Sequence, residues 1–99
     1  MSSQEIVKKI KENIDTYEEY MQLRRELFLQ YQDLTRSIEE SEKNPDTSNI
    51  ELAMKVMSSN VLTNSINRHL NYIDSEIAQI LRETSYFIDL LKSKNNNEM

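Results

Sequence analysis

The sequence predicts an all-α fold in which two helices form an antiparallel hairpin and pack like a coiled coil. The chain of 99 residues has no glycine and a single proline, Pro45, so tight β turns are disfavoured and one break in the chain is marked. Apolar residues on both sides of Pro45 recur at steps of three and four, which is the helical period. Hydrophobic residues make up 37% of the chain and charged residues 29%, a balance that suits half-exposed helices better than a rounded core.

The first helix is predicted at about residues 3–43, with Ser2 and Glu5 at the spacing of a capping box. One apolar stripe runs along this helix through Val7, Ile10, Ile14, Tyr17 and Met21. A second stripe lies beside it and consists of Tyr20, Leu23, Leu27, Leu34 and Ile38. The predicted apolar face is therefore narrow at the start of the helix and broad further along.

The triplet Leu27-Phe28-Leu29 marks a candidate interface on the first helix. Consecutive helical residues point about 100° apart, so these three side chains cannot all face one partner helix. At least one should meet a further helix or lie exposed, although a single exposed leucine needs no special explanation. With neighbouring apolar residues, the triplet predicts a protein-interaction site that consists of Tyr20, Leu23, Leu27, Phe28 and Tyr31.

The turn is predicted at residues 44–48. Pro45 disfavours helical geometry at Asn44, so the first helix should end there or before it. Asn44 tolerates the left-handed conformation that is common just after a helix end. Ser48 and Glu51 have the spacing of a second capping box, which favours the start of a new helix.

The second helix is predicted at about residues 49–94, followed by a disordered tail at 95–99. Its apolar residues form two stripes: Ile50, Met54, Met57 and Val61 in the first, and Ile66, Leu70, Ile73, Ile77, Ile80, Thr84, Phe87 and Leu91 in the second. The two stripes do not share a register, so a slip is expected within residues 61–65. It could take the form of a stutter, or of a kink or short break near residues 58–65. One continuous, bent helix is favoured over two helices because this stretch contains neither glycine nor proline.

Residues 1–94 are thus predicted to form one helical hairpin domain. Folding the chain back at Pro45 pairs the apolar stripes, with Met54 near Ile38, Leu70 near Leu23, and Ile77 near Ile14. A hairpin of two helices buries little surface for its size. We therefore expect partners or self-association to supply part of the stability.

Few residues offer chemistry. The chain has no cysteine, which excludes disulfides and thiolate metal sites. His69 is the only histidine, and no metal-ligating residue stands four positions from it. We therefore expect His69 to flank the seam between the helices or to face solvent. The pair Ser58-Ser59 has no neighbouring base that could activate a hydroxyl nucleophile. The spaced Asp/Asn pattern and the glycine of a calcium-binding loop are missing. We expect no enzymatic activity, no cofactor and no metal.

Charge and hydropathy limit the classes of partner. The formal net charge is −5 and no basic stripe is present, so nucleic-acid binding is not expected. No apolar run has the length of a signal peptide or of the ~20 residues that span a bilayer. These features predict a soluble, cytoplasmic protein.

Residues 34–80 contain a long helix, an Asn-Pro turn at Lys43-Asn44-Pro45-Asp46, and a second long helix with an apolar stripe, in that order. This order resembles the small helical-hairpin components and chaperones of bacterial type III secretion machines. It is also similar to hairpin subunits of eukaryotic multi-protein assemblies, such as kinetochore or tethering complexes. The resemblance carries no functional residue over to this chain.

The leading functional hypothesis is a non-enzymatic interaction subunit, whose hairpin docks by coiled-coil-type packing into a homo-oligomer or a larger assembly. The alternative is a small acidic chaperone that shields an amphipathic client segment of a secretion or assembly apparatus. In that case the hairpin would offer an open groove near Leu23, Leu27 and Phe28. A weaker alternative is an acidic inhibitor that mimics nucleic acid.

Overall fold

The computed structural model consists of two helices, α1 (Ser3–Lys43) and α2 (Asn49–Glu98), joined by residues 44–48. It describes the backbone of residues 1–98 and the side chains of residues 1–96, and Met99 lies outside the described residues. The two helices pack against each other, and the described part of the chain contains no strand. The predicted all-α helical hairpin is therefore confirmed.

Serine side chains cap the start of both helices. The backbone N–H of Glu5 donates to Ser2 Oγ over 3.1 Å, and the Ser2 hydroxyl donates to Glu5 Oε1 over 3.2 Å. At the second helix, the N–H of Glu51 donates to Ser48 Oγ over 3.1 Å. Each serine thereby satisfies one of the backbone donors that a helix start leaves unpaired, and both predicted capping positions are confirmed.

The turn is built around Asn44. Its N–H donates to the carbonyl of Ser41 over 3.3 Å, and its own carbonyl accepts from the N–H of Thr47 over 3.1 Å. The side-chain oxygen of Asn44 accepts from the N–H of Asp46 over 3.0 Å, which forms an Asx turn. No described residue has a positive φ, so Asn44 does not adopt the left-handed conformation that asparagine tolerates. The asparagine shapes the turn through its side chain instead.

The helix α2 runs without interruption through residues 58–65. Its buried and half-buried residues include an inner face that repeats at steps of four and three with no slip: Leu52, Val56, Ser59, Thr63, Ile66, Leu70, Ile73, Ile77, Ile80, Thr84, Phe87 and Leu91. The predicted slip at 61–65 is therefore wrong. The apparent slip has a simple cause. The inner face continues through the polar residues Ser59 and Thr63, whereas the apolar residues of the same stretch lie on a different face of α2.

The helix α2 also continues to Glu98, beyond the predicted end at about residue 94. Residues 95–97 are asparagines, and although asparagine is a weak helix former, it does not block the helix as proline does. Residues 95–98 of the segment expected to be disordered are thus helical. Met99, the last residue of that segment, lies outside the described residues.

The contacts within the chain group into two compact units. The first unit contains Met1–Gln22 and the part of α2 from Ile73 onward, and the second contains Leu23–Tyr72 with the turn. In the first unit, the inner face of α1 consists of Ser3, Ile6, Ile10, Asn13, Tyr17 and Tyr20, all buried or half-buried. Ile6 is completely buried. In the second unit, half-buried residues of α1 include Leu27, Leu34, Ile38 and Ser41.

The apolar stripe predicted for the start of α1 is only half correct. Ile10 and Tyr17 are half-buried on the inner face, but Val7, Ile14 and Met21 are exposed. The inner positions on the neighbouring side are taken by Ile6 and Asn13. Both choices have helical spacing, so the period alone could not decide which flank of the stripe faces α2.

In each unit, a polar contact between the helices indicates how the two helices are paired. In the first unit, Asn13 Nδ2 donates to Thr84 Oγ1 over 3.2 Å. In the second unit, Lys55 Nζ donates to Ser41 Oγ over 2.6 Å. The predicted pairs of Ile77 with Ile14 and of Met54 with Ile38 are therefore displaced by about one to two helical turns. The predicted pairs were chosen by aligning apolar residues only, so they did not include these polar contacts.

Candidate protein-interaction surfaces

An exposed apolar stripe, called the outer stripe below, runs along α2 in the second unit. It consists of Ile50, Met54, Met57 and Val61, whose side chains are 64–74% exposed. The steps of four, three and four place all four residues on one helical face. The interpretation of Met54 and Met57 as residues packed between the helices is therefore wrong.

The face of α2 that packs on α1 in the same stretch is partly polar. Ser59 is buried, Thr63 is half-buried, and Lys55 bonds to Ser41. Full burial of an apolar side chain such as Met or Val contributes about 1.5–3 kcal/mol. The hairpin alone thus gains little from the apolar residues of the outer stripe. Contiguous exposed apolar patches are a feature of protein-interaction surfaces.

The outer stripe also carries little charge. Between Ile50 and Val61 the only charged residues are Glu51 and Lys55, and Lys55 is engaged at Ser41. The chain as a whole has a net charge of −5. The outer stripe is therefore an uncharged area on an acidic protein, which suits contact with an apolar helical face.

The predicted interaction site on α1 is divided by the structure. Tyr20 is half-buried on the inner face of the first unit, and Leu27 is half-buried in the second. Leu23, Phe28 and Tyr31 are exposed. Leu23 and Phe28 are five positions apart on one helix, so their side chains point about 140° apart. The five residues therefore do not share one face.

The expectation for the triplet is confirmed. Leu27 is half-buried in the second unit, whereas Phe28 and Leu29 are each 51% exposed. Three successive helical positions cannot be covered by one partner helix. Phe28 and Leu29 thus add exposed apolar surface that α2 does not cover.

A groove of about 420 Å³ lies between the helices of the second unit. It is lined by Leu27, Gln30, Asp33 and Leu34 of α1 and by Leu62, Ser65, Ile66 and His69 of α2. His69 Nδ1 lies 2.8 Å from the carbonyl oxygen of Ser65. Since a carbonyl oxygen can only accept, this contact places a proton on Nδ1. Of the predicted interaction residues, Leu27 lines this groove.

A second exposed apolar surface, called the side face below, lies in the first unit. It comprises Val7, Ile14 and Met21 of α1 with Leu81 and Ile88 of α2, which are 37–54% exposed. Each of these residues directly follows an inner-face residue, as Val7 follows Ile6 and Leu81 follows Ile80. In an antiparallel pair, the positions that follow equivalent inner residues emerge on the same side of both helices. The five side chains therefore share one face.

The sequence contained a signal for the outer stripe that the spacing of apolar residues alone does not reveal. If Ser59 and Thr63 are counted as inner residues, α2 has one continuous heptad repeat of inner positions from Leu52 to Leu91. The residues of the outer stripe do not occupy these inner positions. Polar residues are permitted at such positions when their hydrogen bonds are satisfied. In the described residues, no buried side-chain nitrogen or oxygen lacks a partner.

Two further features concern residues 1–98. No group of three or more His, Asp or Glu side chains is arranged so that it could hold a metal ion. Neither α1 nor the described part of α2 has an apolar stretch long enough to cross a bilayer.

No protein-family model, curated protein or solved structure matches this chain. The likeness to secretion-machine hairpins and to eukaryotic assembly subunits therefore rests on the order of the helices and the turn alone.

Proposed function

We propose that the protein is a non-enzymatic interaction subunit, whose helical hairpin binds helices of other chains by coiled-coil-type packing. The observation that carries this proposal is the outer stripe. It places four apolar side chains outward at helical spacing, while Ser59 and Thr63 occupy the inner face of the same stretch.

The outer stripe has the form that an amphipathic helix recognises. Helix-to-helix recognition uses apolar anchors at steps of three and four, and Ile50, Met54, Met57 and Val61 provide them. The two central residues are methionines, whose flexible side chains adapt to the shape of an incoming surface. Covering them would recover apolar burial that the hairpin does not provide.

Affinity capture from the source cells, read by quantitative mass spectrometry, tests this proposal. The variant Met54→Glu/Met57→Glu places two charges in the outer stripe. The matched control Asn60→Glu/Asn67→Glu adds the same charge at exposed positions on the same helix. We expect the wild type and the control to retain a stoichiometric protein partner, and the stripe variant to lose it about tenfold or more, as a loss of ~1.4 kcal/mol requires.

Helical content measured by circular dichroism must be equal in the three proteins for this comparison to apply. Equal retention of the partner by both variants would contradict the assignment of the outer stripe. A folded wild-type protein that retains no stoichiometric partner and does not self-associate would contradict the proposed function as a whole.

A chaperone role is the second candidate, and the groove in the second unit favours it. The groove is open, and Leu27, Leu34, Leu62 and Ile66 give it an apolar lining. Such a groove suits the apolar face of a client segment. Leu62→Glu would then remove one dominant, aggregation-prone client, while Met54→Glu/Met57→Glu would leave that client bound. Loss of the same stoichiometric partner from both variants would favour the interaction subunit over the chaperone.

A further inference from the structure

The side face has a composition that suits packing against an identical surface. On α2, the residues Ala78, Leu81, Ser85 and Ile88 follow one another at steps of three, four and three. This order is symmetric about its centre. In an antiparallel self-pairing, Leu81 lies opposite Ser85 of the second copy, and Ile88 lies opposite its Ala78. Large side chains thus face small ones, which allows two helices to interdigitate.

The α1 part of the side face is symmetric as well. Val7 and Met21 are each seven residues from Ile14, so an antiparallel self-pairing about Ile14 places Val7 opposite Met21 of the second copy. The stretch from Val7 to Met21 measures about 21 Å at 1.5 Å per residue.

The two centres of symmetry lie at the same level of the first unit. Asn13, which precedes Ile14, bonds to Thr84, which lies between Leu81 and Ser85. A single two-fold axis at this level therefore produces the antiparallel self-pairing of α1 and that of α2 at the same time. An interface between identical chains needs such self-complementarity, whereas an unrelated partner does not.

Charge agrees with this arrangement. The chain has a net charge of −5, yet Ala78, Leu81, Ser85 and Ile88 are uncharged, so two acidic copies can meet here. On α1, Lys11 and Glu18 flank Ile14 at three positions before it and four after it. The same two-fold axis brings Lys11 of one copy beside Glu18 of the other, and this occurs twice in the pair.

We propose that the first unit pairs face to face with the first unit of a second copy, with α1 antiparallel to α1 and α2 antiparallel to α2, in a four-helix bundle. The inference deepens the proposed function, on which it rests, by naming one partner as a second copy of this chain. It uses a different surface from the outer stripe, so the two can be tested separately. In this four-helix bundle, the side face of each copy would be covered by the side face of the other.

Cross-linking of the full-length chain tests the symmetry directly, because the protein has no cysteine. Ile14→Cys lies on the two-fold axis, so it should give a covalent dimer with a short thiol cross-linker. Val7→Cys alone should not, whereas an equimolar mixture of Val7→Cys and Met21→Cys should. Efficient cross-linking of Val7→Cys with itself would show a different arrangement and overturn the proposal.

Analytical ultracentrifugation from about 1 µM to about 500 µM, a range that covers weak association, supplies the second readout. We expect a reversible dimer for the wild type and for the outer-stripe variant Met57→Glu, and a monomer for Ile14→Glu and for Leu81→Glu. A wild-type monomer throughout this range would overturn the dimer. If the same monomer still loses its protein partner on Met54→Glu/Met57→Glu, only the dimer fails, and the proposed function is supported.

Both charged substitutions lie at exposed positions, so the hairpin should keep its helical content. Should Leu81→Glu unfold the chain, Ser85→Arg serves in its place, because it removes the small residue that Leu81 of the second copy needs. A folded Ser85→Arg variant that dimerises like the wild type would also overturn the proposal.

Discussion

Single side chains determine where the helices begin, and Ser48 is the residue most open to test. Its hydroxyl accepts the N–H of Glu51 over 3.1 Å. Replacing an N-cap serine by alanine costs about 1 kcal/mol. We expect Ser48→Ala to lower the free energy of unfolding by about this amount in chemical denaturation. Ser58→Ala, at an exposed position inside α2, is the control and should change it by less than about 0.5 kcal/mol. Equal losses in the two variants would show that Ser48 does not act as a cap.

A second pair of side chains, Asn13 and Thr84, specifies how the helices align in the first unit. Their hydrogen bond measures 3.2 Å and is partly buried. A polar residue at an inner position of a coiled coil fixes register at some cost in stability. In a double-mutant cycle of Asn13→Ala and Thr84→Ala, we expect a coupling free energy of about 0.5–1.5 kcal/mol. A coupling of zero, measured by denaturation of the four proteins, would mean that this bond does not hold the register.

At the scale of the helices, the assignment of inner and outer faces of α2 makes a sharp prediction. Ile66 is only 6% exposed on the inner face, so Ile66→Ala should cost about 2–5 kcal/mol of unfolding free energy. Val61, five positions earlier, belongs to the outer stripe, and Val61→Ala in the isolated chain should cost less than about 0.5 kcal/mol. Denaturant titration of both variants checks this. A larger loss of unfolding free energy for Val61→Ala than for Ile66→Ala would show that the outer stripe packs inside the hairpin.

The helices and the turn were predictable because their signals are local. Pro45, Asn44 and the serine caps act on neighbouring backbone atoms, so sequence spacing was sufficient to locate both helix starts and the turn. The faces were not predictable in the same way. Ser59 and Thr63 are inner residues although serine and threonine are usually found at the surface. Val7 and Ile14 are exposed although valine and isoleucine are usually buried. Which flank of a stripe faces its partner depends on the whole pairing, and that pairing is held by contacts between residues distant in sequence, such as Lys55 with Ser41.

The candidate site was predictable only in part for the same reason. Exposed apolar surface around Leu27-Phe28-Leu29 follows from helical geometry alone, and the structure shows it at Phe28 and Leu29. The grouping of Tyr20, Leu23, Leu27, Phe28 and Tyr31 into one surface was wrong. Helical geometry already separates Leu23 from Phe28, but the half-burial of Tyr20 and Leu27 depends on the orientation of α1 against α2. The side face required still more, since its five residues come from both helices and share a side only in the observed register.

At the scale of the whole molecule, the amount of uncovered apolar surface has a thermodynamic consequence. A chain that dimerises through the side face gains stability from association, so its melting temperature should rise with protein concentration. We expect this rise for the wild type and its absence in Ile14→Glu, measured by circular dichroism at several concentrations. A melting temperature of the wild type that is independent of concentration would indicate that the hairpin is stabilised by itself alone.

The central claim is that the hairpin exposes apolar faces because other helices cover them, and sedimentation equilibrium of the full-length chain tests it most directly. We predict a mass that approaches twice the chain mass of 11.8 kDa as concentration rises, and a return to the mass of one chain in Ile14→Glu. A fully folded wild-type protein that sediments as one chain at every concentration, and to which no helical partner binds, would contradict the account.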